Sequence, residues 1–135
     1  MRVFLDANIL FSAALPQSRM RSFLETIFEH AQCLTNPYAV EEARRNLELK
    51  FPQHAQRLDS LVEKCERIAA VASPVEIKIK SKDAPILAGA IAGKATHLLT
   101  GDERDFGEHW GKTIQSVKIV SPKMLADEFV ERGWL

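Results

Sequence analysis

Neither sign of charge prevails in this sequence: 18 basic residues face 18 acidic ones, so no global field draws in polyanions. Any contact with nucleic acid must therefore use local basic patches. No apolar run approaches the roughly 18 residues of a membrane span, and Met1-Arg2 leads straight into a short apolar strand rather than a secretory leader. A cytoplasmic, non-membrane protein is the expectation. There are only two cysteines among 135 residues, too few for a disulfide framework, and Cys33 and Cys65 read as buried thiols. His30, His54, His97 and His109 lack metal-ligand spacing, and neither Ser12 nor Cys33 has a base nearby, so the sequence supports neither zinc nor nucleophilic catalysis. Gly89-Ala90-Ile91-Ala92-Gly93-Lys94-Ala95 imitates a phosphate-binding loop. It has one residue too few between its glycines, places Ala95 where a hydroxyl should hold Mg²⁺, and sits inside a helical pattern.

What is present fits an ordinary globular domain, with 46% hydrophobic and 27% charged residues. A chain of this length buries about two-thirds of the surface its unfolded form exposes. Periodicity and turn signals then divide it. Residues 2–5 read as a buried strand and residues 18–30 as a helix with Met20, Phe23, Leu24, Ile27 and Phe28 on one face. A second strand over residues 32–35 meets Asn36-Pro37, a helix cap followed by proline at the first helical position. The helix carrying Glu42 starts there. Leu58, Leu61, Val62, Cys65, Ile68 and Ala69 predict one long helix over residues 53–71. Residues 75–79 alternate like an edge strand or an extended linker, and residues 81–85 open an Ala-rich helix running to about Lys94. A strand at residues 97–100, a polar loop over 101–111, a strand at 117–120 and a helix capped by Ser121-Pro122 complete the chain. Alternating strands and helices imply a parallel sheet covered on both faces, in a single domain spanning residues 1–135.

Five acids stand where those elements begin or end: Asp6, Glu42, Asp83, Asp102 and Asp105. Asp6 closes the run Val3-Phe4-Leu5, and Asp102 follows Leu98-Leu99-Thr100-Gly101. Both belong at the carboxyl ends of strands, the edge where open α/β sheets place their sites. Each acid alone has an ordinary explanation, Asp83 as a helix cap and Asp102 and Asp105 as solvated loop residues. Together they point to a divalent cation, because carboxylates crowded into one cleft resist ionising unless a cation neutralises them.

The segments Phe4-Leu5-Asp6-Ala7-Asn8-Ile9-Leu10, Glu42 with Leu47, Asp83-Ala84-Pro85-Ile86-Leu87-Ala88, and Leu99-Thr100-Gly101-Asp102-Glu103-Arg104-Asp105-Phe106 occur in this order. The sequence thereby resembles a PIN domain. The resemblance implies a three-layer α/β/α sandwich with a central parallel sheet, and an Mg²⁺- or Mn²⁺-dependent ribonuclease, often the VapC-type toxin of a toxin–antitoxin pair. It matches Asp6, Glu42, Asp83 and Asp102 to the family's acidic quartet and Asp105 to a more variable acid. Asp6, Asp83, Asp102 and Asp105 become the expected metal ligands, with Asn8 and Thr100 orienting the first and last acids. Glu42 is preferred to its neighbour Glu41 by its spacing to Leu47, which the resemblance supplies. The implied reaction is hydrolysis of an RNA phosphodiester by metal-activated water, leaving a 5′-phosphate.

Basic residues near the expected rim, Arg19, Arg21, Arg44, Arg45, Lys82 and Arg104, are candidates for gripping RNA. The resemblance also implies a small antitoxin partner and a homodimer. Two rivals remain. A phosphatase of the haloacid dehalogenase type also begins with a strand-end Asp, but it needs a second Asp where Asn8 stands. A non-catalytic PIN-like module that binds RNA or protein is the other.

Overall fold

The computed structural model describes residues 1–69 and 84–135. Its sheet begins with β1 (Arg2–Leu5), whose Val3, Phe4 and Leu5 are wholly buried. Such an uninterrupted apolar run belongs to a strand covered on both faces. The chain then forms α1 (Ala7–Ala14), α2 (Arg19–His30), β2 (Gln32–Thr35), α3 (Pro37–Lys50), α4 (Gln56–Glu63) and β3 (Glu66–Arg67). After residues 70–83 come α5 (Ala84–Ala92), β4 (His97–Leu99), α6 (Glu103–Phe106), β5 (Thr113–Ile114), β6 (Val117–Val120) and α7 (Pro122–Glu131). The strand order is β3-β2-β1-β4-β6-β5, with helices on both faces in an α/β/α sandwich. Phe4 pairs with Leu34 on one side of β1 and with Leu98 on the other. The connection from β1 thus moves one way across the sheet and β4 returns on the other side. That reversal opens a crevice at the carboxyl ends of β1 and β4.

Local chemistry fixes the helices that border this crevice. The Asn36 side chain accepts from the Ala39 N–H at 3.0 Å, while Pro37 supplies the preset first position of α3. Ala39, Ala43 and Leu47 face the core, which turns the flank of Glu42 and Asn46 toward the crevice. Ser121 caps α7 by the same device, accepting from Met124.

Four departures from the sequence pattern have physical causes. The helix expected over residues 53–71 is instead a 3-10 turn at Pro52–His54, then α4, then β3. Leu58, Leu61 and Val62 do form its buried face. Beyond Lys64 the backbone pairs with the edge of β2, Glu66 beside Leu34 and Arg67 beside Thr35, so cross-strand bonding overrides the helical period. Cys65 is buried at the turn rather than on a helix, and Cys33 is buried in β2. Helix α1 carries no clear alternation because Ala7, Ile9, Leu10, Ala13 and Ala14 are all buried. The loop over residues 101–111 holds α6 and a 3-10 turn at Gly107–His109. Finally, the sheet is not wholly parallel: β5 runs antiparallel to β6 at the edge. Gln115 and Ser116, at φ 46° and 72°, make the two-residue turn between them. Both central residues of a primed hairpin turn need positive φ. The strand or linker expected at residues 75–79, and the first turn of the helix expected from residue 81, lie outside the described residues.

The glycines of the apparent phosphate loop serve packing. A Cβ on Gly89 would stand 2.5 Å from Asn36 Nδ2 and 3.1 Å from the Phe4 ring. One on Gly93 would meet Leu34 at 2.8 Å and Ile68 at 2.9 Å. Absent side chains let this segment lie against the sheet.

Candidate functional site

Asp6 stands where β1 turns into α1 and caps that helix, its Oδ1 accepting from the Ala7 N–H at 2.6 Å. Its backbone N–H reaches across to Leu99 O at 3.1 Å, continuing the β1–β4 ladder by one step. On the other oxygen, Oδ2 accepts from the Thr100 hydroxyl at 2.8 Å and from Asn8 Nδ2 at 3.2 Å. Thr100 is fully buried. Its Oγ1 also receives the Asp102 N–H at 3.1 Å and Asn8 Nδ2 at 3.4 Å, while Asn8 Oδ1 accepts from Gly101 N–H at 2.8 Å. Asn8 and Thr100 therefore join the end of β1 to the loop after β4. Trp110 holds that loop from outside, donating its indole N–H to Thr100 O at 3.3 Å.

Asp102 begins α6, and its Oδ1 accepts from the Asp105 N–H at 3.1 Å. This bond aims Asp102 at the crevice. Asp6, Glu42 and Asp102 line one pocket of about 220 Å³ with Ala7, Asn8, Phe11, Asn46 and Lys50. At ~30 Å³ per water, it has room for a hydrated cation beside a phosphate-sized group. Glu42 is half-buried at the pocket, whereas Glu41 is exposed. The Asp6 carboxyl feels this crowding. Burial, the largest influence, pushes its pKa from 3.8 to about 6 against the lowering hydrogen bonds of Thr100 and Ala7, and the negative Glu42 and Asp102 add to the rise.

Among the described residues, no three His, Cys, Asp or Glu side chains are gathered into a ready-made metal-ligating group. The chemistry of the pocket nonetheless fits a hard divalent ion. Its acidic donors are carboxylate oxygens, and a carboxyl driven toward neutrality mainly by burial, with two neighbouring acids adding to the rise, is a group that a cation would restore to its charged form.

Asp105 is 7% exposed and is not part of the pocket lining. Asp83 and Lys82 lie outside the described residues. Of the basic candidates, Arg44 faces the other flank of α3 and pairs with Asp59 at 2.5 Å. Arg19 borders a separate apolar groove with Phe23, Pro122 and Leu135, and Arg21 pairs with Glu25 at 3.8 Å. Arg45 and Arg104 are exposed on α3 and α6. None of Arg19, Arg21, Arg44, Arg45 and Arg104 lines the acidic pocket. Lys50 does, together with Asn46 and Phe11, and sequence reasoning passed over all three. A signal existed for two of them: residues 42, 46 and 50 share one flank of α3 at steps of four.

Known proteins bear on this arrangement. The PIN domain family model matches residues 2–104. No curated protein is significantly similar in sequence. Among solved structures, the chain is similar to VapBC2 from Rickettsia felis bound to a DNA fragment from its promoter, with a TM-score of 0.65 and 18% identity over 90% of this chain and 98% of that one. It is also similar to FitAcB from Neisseria gonorrhoeae, with a TM-score of 0.56, 18% identity and the same coverage.

Proposed function

Because the chain belongs to the PIN domain family, we propose that it is a divalent-metal-dependent endoribonuclease and the toxin of a toxin–antitoxin pair. The observation that carries this reading is the pocket where Asp6, Glu42 and Asp102 converge from the end of β1, the flank of α3 and the loop after β4. Asp83 is proposed as the fourth member of the acidic set and Asp105 as a further candidate ligand.

These carboxylates would hold Mg²⁺ or Mn²⁺, which when bound would supply an activated water and neutralise charge on the phosphodiester. The chain's own residues do the rest. Thr100 and Asn8 hold Asp6 with one oxygen committed to the strand crossover, so the carboxylate does not need to reorient when a cation arrives. Asp102 is fixed by its backbone bond to Thr100 and by capping α6. The half-buried Glu42 brings a charge from a rigid helix, and no side-chain nucleophile is required.

Structures of the VapBC2 and FitAcB complexes support a small antitoxin as the partner. RNA as substrate, pairing of the protein with itself and a cytoplasmic location are parts of the same proposal. No helix among the described residues is long and apolar enough to cross a membrane.

The test is RNA cleavage by wild type and Asp6→Asn, each with Mn²⁺ and with EDTA. Cleavage by wild type in Mn²⁺ alone is expected. Equal activity in all four conditions would remove the mechanism, and release of phosphate from a phosphomonoester without RNA cleavage would favour a phosphatase.

A further inference from the structure

Between α2 and α4 the chain gathers cations. Arg21, Glu25 and Phe28 follow one another at steps of four and three along α2, and Arg57, Ser60 and Lys64 recur at steps of three and four along α4 and its C-cap. Residues so spaced share a helix face. The two faces meet around a cavity of about 90 Å³, which these side chains line. At ~30 Å³ per water, it has room for one tetrahedral oxyanion. It shares no residue with the acidic pocket. The nearby acids of α4 are turned elsewhere: Asp59 pairs with Arg44, and Asp59 and Glu63 line the groove on the other flank of the helix. Among the described residues, no ion pair engages Arg57 or Lys64. Glu25 is the acid among the described residues lining the cavity, and it stands 3.8 Å from Arg21, beyond hydrogen-bond reach.

We propose that Arg21, Arg57, Lys64 and Ser60 form a binding site for a dianionic phosphate, as free phosphate or as the phosphate of a small phosphomonoester. Three cations against one carboxylate leave two positive charges at the cavity. A phosphomonoester carries nearly two negative charges near pH 7 and balances them, whereas a backbone phosphodiester brings only one. Without an anion the arrangement is unfavourable, because like charges repel and Arg57 stands in the first turn of α4, where the helix dipole already disfavours a cation. The donors suit the ligand. Two guanidinium groups offer planar forks for pairs of phosphate oxygens, Lys64 adds a point charge, and the Ser60 hydroxyl can turn to donate. Lys64 Nζ lies 5.5 Å from the centroid of the Phe28 ring, so this charge is held at the cavity before a ligand arrives. The site is independent of the nuclease reading.

The experiment titrates the protein with inorganic phosphate in metal-free buffer at constant ionic strength, so that no divalent cation draws phosphate to the acidic pocket. Backbone amide shifts in heteronuclear NMR report where it binds. Saturable shifts are expected at Arg21, Arg57, Ser60 and Lys64, and matched additions of chloride should leave them unmoved. Arg57→Gln and Lys64→Gln should each weaken phosphate binding by about 3- to 10-fold, the range for charge-assisted bonds partly screened by solvent. Glu25→Gln should tighten it by removing the opposing charge, a gain that a disturbed fold does not produce. A short single-stranded oligoribonucleotide with hydroxyls at both ends supplies the diester arm and should shift these residues less than phosphate does. Absence of saturable shifts here, unchanged affinity in both Arg57→Gln and Lys64→Gln, or no gain in Glu25→Gln would overturn the site. An oligoribonucleotide that binds these residues as tightly as phosphate would also overturn it, in favour of a contact with nucleic-acid backbone.

Discussion

The Thr100 hydroxyl donates to Asp6 Oδ2 at 2.8 Å, joining residues 94 positions apart in the sequence. Because the same oxygen receives the Asp102 N–H, one side chain sets the position of two acids. Thr100→Val keeps the shape and deletes both bonds. RNA cleavage should fall by about 10- to 100-fold, as for other groups that orient metal-binding carboxylates. The hydroxyl also lowers the Asp6 pKa, so the acidic limb of the pH–rate profile should move to higher pH, with Thr100→Ser restoring both features. A Thr100→Val enzyme with wild-type rate and profile would place Asp6 outside the reaction.

Asp6 should make the metal-free protein less stable as pH rises. Its carboxyl holds a proton more tightly when folded than its ordinary 3.8, up to about 6. The stabilisation is therefore complete below pH 3.8 and is lost as pH passes through about 6. For a residue only 4% exposed, a rise from 3.8 to about 6 corresponds to something on the order of 3 kcal/mol. The difference in unfolding free energy between wild type and Asp6→Asn, followed against pH in EDTA, isolates this contribution. Saturating Mn²⁺ should reverse its trend.

Gly89→Ala should destabilise the fold although alanine ordinarily favours helices. The added methyl would collide with Asn36 Nδ2 at 2.5 Å. Asn36 both caps α3 and donates to Pro85 O at 3.1 Å, so it cannot yield without loosening α3 and α5 together. A loss of about 1–3 kcal/mol is expected from urea unfolding, as for other overpacked positions. Stabilisation would show that this helix is free to shift.

At the opposite end of β4, His97 Nε2 lies 3.0 Å from Glu128 Oε1, tying the sheet to α7. Burial pushes the Glu128 carboxyl up. The His97 hydrogen bond and charge, with Arg132 and Lys118, outweigh it and hold the group below its ordinary 4.5. The stabilisation is present above pH 4.5 and is lost as pH falls through the lower folded value. Glu128→Gln should cost about 1 kcal/mol near neutrality, allowing for partial solvent exposure, and the deficit should vanish in acid. Thermal unfolding of the two proteins at several pH values reads this directly.

The placement of Asp6, Glu42 and Asp102 around one pocket could be read before the fold because these residues sit at punctuation. Asp6 ends a run of buried residues, Asn36-Pro37 starts the helix of Glu42, and Asp102 follows a second buried run. What stayed hidden depended on partners distant in sequence. Periodicity continues through Cys65 and Ile68, and only the free edge of β2 explains why the chain becomes a strand there. The hairpin at Gln115-Ser116 lacks a glycine, so its positive φ values leave no trace in composition. Lys50 and Phe11 look like solvated charge and core apolar residue until α1 packs beside α3. Arg44 illustrates the converse: it follows Glu42 closely in sequence, yet points to Asp59.

Asp6, Glu42 and Asp102 are proposed to hold a divalent cation jointly. Titration of Mn²⁺, followed by the loss of its free electron paramagnetic resonance signal, tests this without RNA or cleavage. Wild type should bind the ion, and Glu42→Gln and Asp102→Asn should each weaken binding by more than the roughly tenfold expected of an outer partner. Identical Mn²⁺ affinity in wild type and both variants would mean that these carboxylates do not hold the ion.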